Sequence, residues 1–114
     1  MSFWRRELID FALDHETRKQ MDEQLARIER EPLNAQPYYA LAQFFRMSGK
    51  EEYALGLLLE AVRLNPTLAD AHASLCEIYA VRADNAAAWR HARTAERLGL
   101  SRPVDLLTRY GIDE

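Results

Sequence analysis

The stretch YYALAQFFRMSGKEEYALGLLLEAVRLNP, which runs from Tyr38 to Pro66, decides the fold class of this chain. Its apolar residues recur at steps of three and four, the spacing of residues that share one face of an α-helix. Gly49 lies between two such runs and Pro66 follows the second, so the stretch predicts two helices joined by a short turn. Its apolar density indicates burial on more than one side, which raises the question of whether the unit repeats.

Outside this stretch, capping residues and glycines divide the chain into further segments of helical length. Asn34 and Asp84 are suited to cap helices, and Thr67 and Asp70 have the spacing of a capping box. β-branched residues never alternate with polar ones, so strands are not supported. The chain is therefore predicted to be all-α, with about six to seven antiparallel helices. The last signals are a helix end at Gly99 and a short helix that Ser101 and Pro103 open and Gly111 closes.

Composition and charge restrict the class of protein. The chain has 114 residues, 48% hydrophobic and 29% charged, which fits one soluble domain with a real core. Lys and Arg number 15 against 18 Asp and Glu, so the basic excess expected of a nucleic-acid binder is missing. Cys76 is the only cysteine, which excludes an internal disulfide. No apolar run approaches the ~18 residues of a membrane span and no signal-peptide core is found, so we expect a cytoplasmic protein.

A second unit follows the first at a distance of 34 residues. Shifting the chain by this period places small residues on small ones and large residues on large ones. A single helix pair does not require such matching, but a stack of helix pairs does. The identical pairs are Ala35 with Ala69, Leu41 with Leu75, Ala54 with Ala88, Ala61 with Ala95, Arg63 with Arg97 and Leu64 with Leu98.

These residues resemble the tetratricopeptide repeat (TPR), a helix hairpin of period 34. The resemblance implies a right-handed α-solenoid of antiparallel helix hairpins, a single TPR-like domain over residues 1–114. Its repeats would span residues 34–66 and 68–100, and residues 101–112 would form a C-terminal capping helix. The first unit fits the pattern with Tyr38, Leu41, Ala42, Phe45, Ala54, Leu58, Ala61 and Pro66, and the second with Leu75, Cys76, Tyr79, Ala88 and Ala95.

The second unit departs from the pattern at three positions. His72 stands where an aromatic residue is usual, Ala92 where a bulky residue is usual, and Leu100 where proline is usual. These departures predict looser packing at the outer side of this unit, as for a repeat near the end of a stack.

Residues 1–33 form either a degenerate first repeat or a capping segment. In one interpretation two helices meet at a turn near Asp14–Thr17, and Thr17 begins a capping box with Gln20. In the other, one long helix runs from Ser2 to about Arg30, because no glycine or proline interrupts it. The two-helix interpretation is favoured, since a bare helix of that length is marginal without a partner.

His72, Cys76 and His91 are the candidate residues for metal binding or nucleophilic chemistry. His72 and Cys76 are four residues apart and share a helix face. Two ligands fall short of the four of a structural zinc site, and no third group is placed to orient the histidine for catalysis. Core packing is therefore the favoured interpretation, and we predict no metal, no cofactor and no enzymatic activity. The stripe of Arg90, Arg93 and Arg97 is interpreted as a solvated outer face.

The resemblance places any binding site on the concave side, which the first helix of each hairpin lines. It implies an adaptor or scaffold that binds a protein or peptide partner. One TPR subset clamps a partner's terminal carboxylate with Lys, Asn and Arg, but here the corresponding positions include Glu77, which would repel it, so we predict against that specificity. The candidate partner-binding residues are Gln36, Tyr39, Gln43, Arg46, Met47, Asp70, Ala73, Glu77 and Val81.

Self-assembly is the alternative function. The apolar ends of a short stack, or the Phe3–Trp4 segment, could pair two copies into a homodimer.

Overall fold

The computed structural model describes the backbone of residues 2–114 and the side chains of residues 15–114. Over this range the backbone forms α-helices and no strand, so the all-α prediction is confirmed. Each helix packs against the next one in the chain, and α6 also contacts α4. The six helices are α1 (Ser2–Arg30), α2 (Ala35–Met47), α3 (Glu51–Leu64), α4 (Ala69–Val81), α5 (Asn85–Arg97) and α6 (Arg102–Arg109).

The favoured two-helix interpretation of the N-terminal segment is wrong, because α1 is one continuous helix of 29 residues. Thr17 lies inside this helix and caps nothing, and Gln20 Nε2 donates to Glu16 Oε1 (3.2 Å) one turn earlier. α1 packs against α2, which supplies the partner that so long a helix requires. The predicted role of Phe3 and Trp4 in pairing lies outside the described side chains.

The caps at the helix starts follow the sequence in two cases and differ in one. Asn34 Oδ1 accepts from the Gln36 N–H (3.0 Å), and Asp84 Oδ1 accepts from the Ala87 N–H (3.2 Å), so both predicted caps are confirmed. The Thr67 capping box is wrong. Asn65 Oδ1 accepts from both the N–H (3.1 Å) and the hydroxyl (2.7 Å) of Thr67, which holds this residue in the turn before α4.

The core consists of two clusters that meet at α4. The first joins α2, α3 and α4 around Leu58, Leu75 and Ile78, and the second joins α4, α5 and α6. Alanines at the helix contacts are fully buried, which allows the backbones to approach closely. These contacts place one face of α2 beside the face of α4 that carries the residues 34 positions later. The fully buried alanines include Ala42, Ala54, Ala61, Ala88, Ala92 and Ala95.

Ala92 does not produce the looser packing that its small size predicts. It is fully buried in the second cluster, together with Trp89 of the same helix and Leu107 of α6. The bulk missing at Ala92 is supplied one turn earlier along α5 and by the following helix, so the repeat pattern is broken in sequence while the core stays closed.

The turns after α2 and α4 have the same helix-ending geometry, which also follows α5 and α6. Gly49 and Ala83 lie one period apart, and both have left-handed backbone angles, with φ of +74° and +60°. The residue after each donates its N–H to a carbonyl five positions earlier, Lys50 to Phe45 (2.8 Å) and Asp84 to Tyr79 (2.9 Å). This is the same helix-ending motif in both units.

We expect Ala83→Gly to stabilise the protein by about 0.5–1 kcal/mol, because glycine adopts a left-handed φ without the strain that a Cβ imposes. Urea unfolding followed by circular dichroism measures the change. Gly49→Ala is the matched control and should lose a similar amount, since a Cβ added there meets no atom within 4 Å and only the backbone conformation is penalised. A loss of stability in Ala83→Gly would contradict the prediction.

Candidate functional site: the face shared by α2 and α4

Two side-chain contacts cross from α2 to α4 on the predicted face. Gln43 Nε2 donates to Ser74 Oγ (3.3 Å), and Arg46 Nη2 forms an ion pair with Glu77 Oε2 (2.8 Å). In both contacts the partners are 31 residues apart, which is one repeat less about one helical turn. We call the surface around these two contacts the α2–α4 face.

The contacts correct one part of the sequence interpretation. Gln43 and Arg46 are among the candidate partner-binding residues, but both side chains already bind residues of α4. The ion pair is partly exposed, so it contributes at most about 1 kcal/mol to stability. Its main consequence is orientation, because it fixes a guanidinium and a carboxylate side by side on the surface.

The other predicted residues occupy different depths of this face. Tyr39 is half-buried against the first core cluster, and Ala73 is buried. Gln36 and Asp70 are exposed near the start of their helices. Met47 and Val81, which are one repeat apart, are each 76% exposed at the opposite end. The α2–α4 face therefore has polar contacts at its centre and two free apolar side chains along one edge.

An apolar cleft continues this edge towards α6, and the sequence patterns did not indicate it. Its volume is about 280 Å³, and Glu77 is the one charged residue in its lining. The tail beyond α6 closes one side, because Trp89 Nε1 donates to the Ile112 carbonyl (2.9 Å) and holds it against α5. The other lining residues are Ala80, Val81, Leu106, Leu107, Tyr110 and Ile112.

His72 and His91 form a buried hydrogen-bonded pair. Their Nδ1 atoms are 3.0 Å apart, and His72 Nε2 lies 2.9 Å from the Pro66 carbonyl oxygen. A carbonyl only accepts, so the Nε2 of His72 carries the proton, and in the neutral pair His91 Nδ1 donates to His72 Nδ1. The His91 ring also stacks on the Tyr79 ring, with 5.6 Å between the ring centroids. Burial, with smaller contributions from the neighbouring His72 and Arg90, lowers the pKa of His91 to about 4.

The arrangement does not support the Cys–His nucleophile that the spacing allows. Both ring nitrogens of His72 are engaged, on Pro66 and His91, so this ring is not free to take a proton from Cys76. Burial, with a smaller contribution from Glu77, raises the pKa of the Cys76 thiol to about 11, which keeps it protonated at neutral pH. Among residues 15–114, no group of three or more His, Cys, Asp or Glu side chains is arranged to hold a metal ion.

The arginine stripe of α5 is used partly within the molecule. Arg93 Nε donates to Glu114 Oε2 (3.0 Å), and its guanidinium lies 5.0 Å from the centre of the Trp89 ring. Arg97 Nη2 donates to Thr94 Oγ1 (3.1 Å), and Arg90 is exposed. These contacts fix the C-terminal tail and agree with a solvated outer face.

No protein-family model matches the chain, and no curated protein matches its sequence significantly. Within the described helices, none combines the length and the apolar character needed to cross a membrane.

Proposed function

We propose that this chain is a non-enzymatic protein-interaction module, a TPR-like adaptor that binds a peptide or protein segment across the α2–α4 face. The main support is the free apolar edge, where Met47 and Val81 stand 76% exposed beside fixed polar groups. Interfaces of this kind combine apolar anchors with a few oriented polar side chains. The TPR-like residue pattern further supports a right-handed solenoid in which this face is concave.

The chemistry of the face suggests how a partner would bind. Met47 is flexible and polarisable, so it adapts to different apolar side chains. The Arg46–Glu77 pair offers donors and acceptors to a partner's backbone on its exposed sides. Because Arg46 is already paired with Glu77, it is not free to capture a terminal carboxylate. The proposed partner therefore presents an internal apolar segment rather than a free chain end.

The double variant Met47→Glu, Val81→Glu tests this proposal. We expect it to lower the affinity for a captured partner segment by roughly tenfold or more, since two apolar anchors are replaced by charges. The segment is first identified by cross-linking mass spectrometry after enrichment on the purified chain, and its binding is then measured by isothermal calorimetry. Both positions are highly exposed, so the double variant should keep the wild-type circular dichroism spectrum and unfolding midpoint.

Leu33→Glu is the matched control, because Leu33 is an exposed apolar residue in the turn between α1 and α2, outside the α2–α4 face. It should leave affinity unchanged. If the double variant binds as tightly as the wild type, the α2–α4 face is not the site. If the captured segment belongs to a second copy of this chain, the function is self-assembly instead.

A further inference from the structure

The same hydrogen bond joins each hairpin to the turn before it, but the two donors differ in kind. In the first hairpin, formed by α2 and α3, the Tyr38 hydroxyl donates to the Pro32 carbonyl (3.1 Å). In the second, His72 Nε2 donates to the Pro66 carbonyl (2.9 Å). Donors and acceptors are each one repeat apart. A tyrosine stays protonated over the physiological range, whereas a histidine changes charge near neutral pH.

In the second hairpin His91 adds a further hydrogen bond to His72. The two bonds together limit how many protons the histidine pair can hold. In the neutral pair His72 carries its proton on Nε2 and His91 carries its own on Nδ1, which completes both hydrogen bonds. One further proton on His91 Nε2 preserves both bonds. A second further proton must go to His72 Nδ1, where it removes the acceptor of the bond between the rings and sets two cations against each other.

Burial and the charge of Arg90 oppose protonation of His91. α4 contributes the neutral ring of Tyr79 and, one turn from His72, the protonated thiol of Cys76. α5 contributes Arg90, whose positive charge disfavours a cationic His91. The turn before α4 contributes only the Pro66 carbonyl. Both rings are less than 10% exposed, with His72 at 7% and His91 at 9%, so water compensates little for an added charge.

We propose that the His72–His91 pair is a proton-sensitive latch that holds α5 to α4 and to the preceding turn, and that acidification releases it. The first hairpin, whose joint is built on Tyr38, lacks this response. The latch would act on the second hairpin and on the C-terminal segment that α5 holds in place.

The sign of the effect follows from proton binding. In an opened chain both imidazoles are in water and each can take a further proton below pH 6.5, whereas the two hydrogen bonds of the closed pair accommodate at most one further proton. The opened state therefore gains protons, and closure weakens as pH falls from 6.5 towards the pKa of His91 at about 4. Each pH unit in this window favours opening by about tenfold for each excluded proton, and at least one is excluded, so we expect about a hundredfold or more between pH 6.5 and 4.5.

Hydrogen exchange of the full chain at pH 6.5, 5.5 and 4.5 tests the latch. The comparison is the double variant His72→Tyr, His91→Leu, which copies Tyr38 and Leu57 of the first hairpin into the second. We expect protection of α4 and α5 amides in the wild type to fall about a hundredfold relative to the variant over this range. Amides of α2 and α3 should change equally in both proteins, because carboxylate titration is common to them. A constant ratio in α4 and α5 overturns the proposal.

A second measurement on the wild type keeps the test valid if the double variant does not fold. Nitrogen-15 NMR of the imidazoles follows each ring directly, with a histidine-containing model peptide as reference. We expect at least one ring of the pair to stay neutral below pH 5. If both rings of the pair become cationic near pH 6.5 while the amides of α4 and α5 stay protected, no latch exists.

Discussion

Leu58→Ala is expected to lower the free energy of unfolding by about 3 kcal/mol, one of the largest losses of any single truncation in this chain. Leu58 is fully buried in the first core cluster, where α2, α3 and α4 meet. Removing its branched end forfeits the transfer free energy of three carbon atoms and leaves a cavity that the surrounding helices fill only in part. Because domains of this size are stable by about 5–15 kcal/mol, the variant should be markedly easier to unfold.

Leu59→Ala is the matched control for this prediction, because the next residue carries the same side chain and is 40% exposed. Replacing leucine by alanine changes helix propensity by the same amount at both positions. The difference in unfolding free energy between the two variants therefore measures the effect of burial. Urea unfolding monitored by circular dichroism should show a loss below about 1 kcal/mol for Leu59→Ala. Equal losses in the two variants would contradict the assignment of Leu58 to the core.

Trp89→Ala is expected to cost about 3–5 kcal/mol and to free the C-terminal tail. The indole fills the second core cluster, donates to the Ile112 carbonyl (2.9 Å) and lies under the Arg93 guanidinium. Truncation removes the bulk that compensates for Ala92 and the hydrogen bond that ties Ile112 to α5, so the tail is held to α5 less firmly. Trp89→Phe keeps most of the apolar surface but not the donor, so it should lose only about 1–2 kcal/mol.

Trypsin cleavage after Arg109 reports on the tail separately from global stability. We expect Trp89→Ala to be cleaved faster than Trp89→Phe, and both variants to be cleaved faster than the wild type. The digestion is carried out without urea, at a temperature well below the unfolding midpoint. If the unfolding free energy falls while cleavage at this bond is unchanged, the tail is held by contacts other than those of Trp89.

Much of the fold could be predicted because the sequence repeats its local signals. Apolar spacing, the Asn34 and Asp84 caps and the glycine after α2 all point to the same helix boundaries. The errors occur where two local solutions differ little in energy. The capping box of Thr67 failed because Asn65, two residues earlier, offers a competing acceptor. The continuity of α1 depends on packing against α2. The residue pattern of α1 alone does not show that this packing partner is present.

The candidate site could be predicted as a face but not as a set of contacts. Helical spacing identifies which side chains share the surface, and Met47 and Val81 are indeed exposed there. It does not give the offset between two hairpins, so the pairing of Arg46 with Glu77 was not foreseen. The same reason hides the histidine pair, whose members are 19 residues apart on different helices. The signal for the Gln43 and Arg46 contacts is a pair of polar residues 31 positions apart, which is one repeat minus about one helical turn.

The packing of each helix on its neighbour in sequence also bears on how the chain reaches its fold. Most contacts between helices join neighbours in the sequence, so the loops that must close before the first stable contacts form are short. Rapid folding is the usual consequence of such local topology. Either hairpin can serve as the nucleus, and the other then adds to it as a unit. Damage to one hairpin therefore leaves the chain a second starting point.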